Sequence, residues 1–104
     1  MQFHVNSTIH QGVATLALQG RFDFSQYSLF KEQQEKILGE PGLKTVVLDL
    51  RSLDYLDSAA LGIMLVLLDR AREVNAPVTI RNAQGVVREI LDVAHFNRMF
   101  TIED

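Results

Sequence analysis

Asp57 and Ser58 stand between a partly acidic stretch, Leu53-Asp54-Tyr55-Leu56, and a strongly apolar one, Ala59–Leu68. A hydroxyl at the point where a chain turns into a helix is placed for one of two jobs. It can carry a phosphoryl group, because unpaired backbone N–H groups and the helix dipole favour negative charge there. It can equally be an ordinary helix cap. As a catalytic nucleophile, Ser58 lacks an identifiable histidine and the glycine pattern of a nucleophile elbow.

The other groups capable of chemistry do not combine. Asp49, Asp54 and Asp57 are expected to cluster around the exit of a central strand. An aspartyl-phosphate receiver would need an acidic pair after the first strand to hold magnesium, and His10-Gln11-Gly12 stands there instead. Hydrolysis by paired carboxylates would need a second acidic loop or a convincing base. His4, His10 and His95 are far apart and none forms a pair at helical ligand spacing, so no metal site is expected. Neither G-x-x-x-x-G-K-[ST] nor G-x-G-x-x-G occurs. The expectation is a protein that is not an enzyme and holds no cofactor.

Composition narrows the class further. The 104 residues suffice for one domain, and 47% hydrophobic with 22% charged residues is ordinary for a globular chain. A formal charge of −3 without any basic run argues against nucleic acid as a partner. The absence of cysteine removes disulfides, thiolate zinc sites and cysteine nucleophiles together. Met1-Gln2-Phe3-His4 lacks a signal-peptide pattern, and Ala59–Leu68 is too short to span a bilayer. A cytoplasmic protein without membrane insertion is expected.

The elements that must position Ser58 follow from periodicity. Phe3–Ile9 and Val13–Leu18 around His10-Gln11-Gly12 predict a hairpin, ended by Gly20. Gln26–Leu38 predicts a helix with Asp23 or Ser25 placed to cap it, and Gly39-Glu40-Pro41-Gly42 stops it. Thr45–Leu50 is near-continuously apolar, as a central strand covered on both faces would be. A second helix is predicted from about Ser58 to Val74, and a strand over Pro77–Arg81. A third helix capped by Asn82 would place Val87, Ile90, Leu91 and Ala94 on one stripe. Phe96, Met99 and Phe100 close the chain as a further turn and a short edge strand. The order β-β-α-β-α-β-α predicts an α/β fold, a small mixed sheet with helices packed on it.

The second helix is more apolar than one core face needs. Leu61, Met64, Leu65 and Leu68 make one stripe, with Ile63, Val66 and Leu67 off it. Either neighbouring helices cover the surplus or it faces a partner.

Val46-Val47-Leu48-Asp49-Leu50, followed by Leu56-Asp57-Ser58-Ala59-Ala60-Leu61-Gly62-Ile63, resembles the signature of STAS domains. It looks most like that of the single-domain anti-sigma factor antagonists (anti-anti-sigma factors) of bacterial partner-switching systems. Their motif is approximately D-[ST]-[ST]-[GA]-[LV]-[GA] after an apolar strand. Gly20-Arg21-Phe22-Asp23 resembles a second family feature, Gly-x-[LF]-Asp before the first helix. The resemblance covers essentially the whole chain and implies a single STAS domain over residues 1–104.

It also implies a function. Such an antagonist, when unphosphorylated, binds a serine kinase/anti-sigma factor and releases what that partner held. Phosphorylation of the serine after the motif aspartate, here Ser58, turns binding off, and a PP2C-type phosphatase restores it. ATP and metal ions belong to those partners. Asp23, Asp57, Ala59, Ala60, Leu61, Gly62 and Ile63 form the expected contact surface. Ala59 and Ala60 depart from the usual Ser-Gly or Thr-Gly, which leaves Ser58 as the motif's single hydroxyl and adds a methyl where backbone could approach closely. Two alternatives stand beside this one: a constitutive STAS subunit of a transport complex, such as a lipid ABC transporter, and a nucleotide-binding or hydrolysing domain.

Overall fold

The polar connection Gln11-Gly12 takes positive φ at both residues, 51° and 84°, which is the signature of a type I′ turn. It joins β1 (His4–His10) to β2 (Val13–Phe22) antiparallel, with His10 opposite Val13. The remaining elements are α1 (Tyr27–Leu38), β3 (Thr45–Leu56), α2 (Ser58–Glu73), β4 (Val78–Arg81), α3 (Gly85–Val93) and β5 (Thr101–Glu103). This computed structural model describes residues 2–103, so the first and last residues of the expected domain lie outside the described part. The strands form one sheet in the order β1-β2-β3-β4-β5, parallel from β2 onward. The predicted mixed α/β architecture is thus present, completed by a 3-10 turn at Phe96–Arg98 and the short edge strand β5.

Alternation explains which face carries the helices. Ala14, Leu16, Leu18 and Phe22 of β2 are buried with Val46, Leu48, Leu50, Leu53 and Leu56 of β3. Phe30 and Ile37 of α1, Met64 and Leu67 of α2, and Val87 and Leu91 of α3 close over them. Phe3, Phe22 and Phe30 stack in succession, with centroids 5.1 and 5.3 Å apart, beneath the end of the sheet that carries Asp23 and Asp57.

Two strands run further than their apolar cores suggested. β2 continues through Gly20 to Phe22, because Gly20 (φ 94°) lets the ladder shift register rather than end. A Cβ there would collide with the carbonyl oxygen of Gln2. β3 likewise continues through the expected acidic loop to Leu56, pairing Leu53 with Gly20 and Leu56 with Phe22. Burial of Leu53 and Leu56 holds this extension on the sheet.

The stripe on α2 is also corrected. Its buried residues are Ala60, Ile63, Met64, Leu67, Leu68 and Ala71, at the helical spacing of a broad core face. Leu61 and Leu65 are half-buried at its margin, so most of the surplus apolar surface belongs to the core. On α3, Val87 and Leu91 are buried as predicted, with Ile90 and Ala94 partly so. Asn82 does not cap this helix; the cap position is Gln84, while Asn82 adopts φ 62° and donates to Asp49 instead.

Candidate functional site

β3 ends at the buried Leu56, and the next residue, Asp57, stays extended at φ −105° and ψ −177° as the N-cap of α2. Its Oδ1 accepts the Ala60 N–H at 2.9 Å, and its carbonyl accepts the Leu61 N–H at 3.1 Å. The cap is therefore Asp57, leaving Ser58 as the first helical residue with an exposed side chain. Among the described residues, no group bonds the Ser58 hydroxyl. This removes the helix-cap role that the sequence left open for Ser58.

A second loop lies against the first. The Asp57 N–H donates to the Phe22 carbonyl at 3.3 Å, which brings Asp23 beside the start of α2. Asp23 caps a short 3-10 turn, Phe24–Gln26, rather than α1; the cap of α1 is Gln26, whose side chain makes no capping bond. Asp23 Oδ1 accepts the Ser25 N–H at 2.9 Å and also the Ser25 hydroxyl. The hydroxyl bond chiefly holds the Asp23 carboxyl below the usual carboxylate value; slight burial opposes it, while the Ser25 N–H and Arg21 assist. Arg21 lies 3.8 Å from Asp23 Oδ2 and over the Tyr55 ring at 4.4 Å. Phe24 is 70% exposed and stacks on Tyr27 at 6.1 Å. Sequence reasoning passed over Arg21, Phe24 and Tyr55, although Arg21 and Phe24 flank the Phe22-Asp23 pair that it singled out.

The expected contact surface divides in two. Ala59 and Leu61 are half-buried, Gly62 is exposed, and Asp23 and Asp57 are half-exposed at the rim. Ala60 and Ile63 instead point inward at 0% and 6% exposure, as their place in the buried stripe requires. The Ala60 methyl accordingly fills core, and backbone approach at this position is to the protein's own interior. Gly62 lies one turn after Ser58 on the exposed side, and a Cβ there would meet nothing within 4 Å. Across from it, Leu61 lines a shallow groove of about 350 Å³ with Glu89, Ile90, Val93 and Ala94 of α3.

The anticipated acidic cluster does not form. Asp49 lies between the buried Leu48 and Leu50, hence on the opposite face, where it accepts from Arg51 N–H at 3.1 Å and Asn82 Nδ2 at 3.0 Å. Among the described residues, no three His, Asp or Glu side chains converge as metal ligands. No helix among them is long and apolar enough to cross a membrane.

The mixed five-stranded sheet and its three helices are shared with known proteins. The STAS domain model aligns with residues 4–104. The chain belongs to the STAS family. A STAS-domain-containing protein of Pseudomonas aeruginosa (strain UCBPP-PA14) is 40% identical over 88 residues, covering 85% of each chain. The unphosphorylated form of the anti-sigma factor antagonist SpoIIAA superposes with a TM-score of 0.74 at 14% identity, covering 99% of this STAS domain and 88% of that chain. The phosphorylated form of SpoIIAA, a Bacillus cell fate determinant, gives 0.71 at 13% identity, covering 99% and 92%. These structural likenesses establish the shared fold.

Proposed function

We propose that this STAS domain is an anti-sigma factor antagonist whose binding surface surrounds Ser58 and is closed by phosphorylation of that residue. The partner is a serine kinase/anti-sigma factor, and a PP2C-type phosphatase reopens the surface. The observation that carries this proposal is the capping pattern: Asp57 takes the Ala60 N–H, so the fold makes no use of the exposed Ser58 hydroxyl. Further support comes from the family itself, whose structural neighbours include an anti-sigma factor antagonist in phosphorylated and unphosphorylated forms.

The physics of such a switch requires no refolding. A phosphate on Ser58 adds roughly −1.5 to −2 charges beside Asp57. The helix N-terminus tolerates this charge while it remains solvated. A docked partner would desolvate a dianion beside a carboxylate. A loss of about 3–4 kcal/mol, reasonable for an unpaired buried charge, weakens binding roughly 10²–10³-fold.

The test uses wild type, Ser58→Ala, Ser58→Asp and Gly62→Leu as baits, with phosphate mapped on the wild type. Wild type and Ser58→Ala should retain a kinase-like partner, and Ser58→Asp should lose it. Gly62→Leu should fold normally, because space is open at its Cβ, yet also lose the partner by standing beside Ser58. Equal recovery on all four baits, with no phosphate on Ser58, would make the protein a constitutive subunit instead.

A further inference from the structure

The two edges of the sheet are built differently. β5 is three residues long and ends in an ion pair, Arg81 Nε to Glu103 Oε1 at 2.7 Å, so its edge is short and charged. β1 is seven residues long, pairs with β2 without a bulge, and carries no proline, lysine or acidic residue. Proteins ordinarily protect long edges with such devices, because an open edge invites another strand.

The sequence of β1 indicates which strand. His4-Val5-Asn6-Ser7-Thr8-Ile9-His10 reads nearly the same in both directions about Ser7. His matches His, Val matches Ile, and Asn matches Thr. An antiparallel pair of two β1 strands centred on Ser7 places Val5 beside the partner's Ile9 and Asn6 beside the partner's Thr8. Both sheet faces are preserved: Val5, Ser7 and Ile9 stay on the half-buried side, and the other four residues stay in solvent.

Backbone direction selects the same register. The type I′ turn at Gln11-Gly12 directs the peptide groups of His10 toward β2, and alternation then directs those of Thr8, Asn6 and His4 the same way. The groups of Val5, Ser7 and Ile9 are left facing outward. About Ser7 they meet the identical set, so each residue donates and accepts one bond across the seam.

Above the strand, Ser7 Oγ donates to Gln33 Oε1 of α1 at 2.5 Å. Leu29, one turn before Gln33, therefore lies on the β1 side of α1, where it is 49% exposed. The same twofold axis brings this leucine toward its counterpart.

We propose that β1 is a homodimer seam, joining the five-stranded sheets of two copies through an isologous antiparallel pair centred on Ser7. Ser58 lies inward of this edge, after β3, and remains open in both copies. The proposal is independent of whether Ser58 is phosphorylated.

Two charge variants test it: Asn6→Glu with Thr8→Glu, and Asn6→Lys with Thr8→Lys. Both positions are exposed and face uncharged Ala17 and Thr15 on β2, so the monomer fold is undisturbed. Sedimentation equilibrium should find wild type at the mass of two 11.7-kDa chains within micromolar to millimolar concentrations. Each variant alone should dissociate roughly tenfold or more readily, since like charges then oppose each other across the seam. Mixing the acidic and basic variants should restore a dimer containing one of each. A wild type that stays monomeric throughout, variants as dimeric as wild type, or a mixture that forms no mixed dimer would each overturn the proposal.

Discussion

Two aspartate–serine pairs lie side by side at one end of this protein, and they use their hydroxyls oppositely. In the loop before α1, Ser25 stands two residues after Asp23, and Asp23 accepts both its N–H and its hydroxyl. At the start of α2, Ser58 follows Asp57 directly, and Asp57 reaches past it to the Ala60 N–H. One added residue of spacing decides whether the serine is consumed locally or left free. A full helix supplies a donor at its third position, whereas the three-residue turn after Asp23 binds its own serine. Residue type alone would therefore misjudge which serine hydroxyl is left free.

The contrast can be broken most directly by phosphate incorporation. Incubation with the cognate kinase should label wild type and Ser25→Ala alike, and Ser58→Ala not at all, as read by intact-mass spectrometry. Label retained in Ser58→Ala and lost in Ser25→Ala would invert the assignment.

Stability should separate the two aspartates by a smaller amount. Asp57→Ala removes the cap of a sixteen-residue helix and should cost about 1 kcal/mol, within the usual range of roughly 0.5–2. For a domain near this size that lowers Tm by about 4–8 °C per kcal/mol. Asp23→Ala disturbs only a surface turn and should shift Tm less. Equal shifts would mean that the Asp23 turn supports the fold as much as the α2 cap does.

The smallest effect is a pH dependence. The Asp23 carboxyl is depressed below its ordinary value of 3.8, chiefly by the Ser25 hydroxyl, so its contribution is present above that value. It fades as pH falls from there through the folded-state value. Ser25→Ala should shallow the acid limb of a Tm–pH curve slightly, while Ser58→Ala leaves it unchanged. An equal change in both variants would show that the Ser58 hydroxyl also contacts a carboxylate.

Much of this was legible from the chain. The hairpin, three helices and central strand follow from periodicity, and the resemblance of Leu56–Ile63 to the STAS signature pointed to Ser58. The differences have two physical origins: polar residues whose partners are distant or whose neighbours are buried, and neighbours in sequence that a helix turns to different sides. Asp54 and Arg51 lie in β3 because Leu53 and Leu56 anchor that segment to the core, a tertiary effect that overrides local polarity. Asn82 resembles a helix cap, yet it bonds Asp49 across 33 positions of chain. Ala60 and Ile63 were grouped with Ser58 by adjacency, although a helix turns successive residues to different sides.

Tyr55 and Tyr27 have a practical consequence. The chain contains no tryptophan and only these two tyrosines. Tyr55 lies under Arg21, two residues before Asp57, and Tyr27 stacks on Phe24 beside Asp23. All of the protein's tyrosine emission thus arises next to the two loops. A partner lacking tryptophan that closes over them, or a phosphate added to Ser58, can be followed by ultraviolet fluorescence of the unlabelled protein.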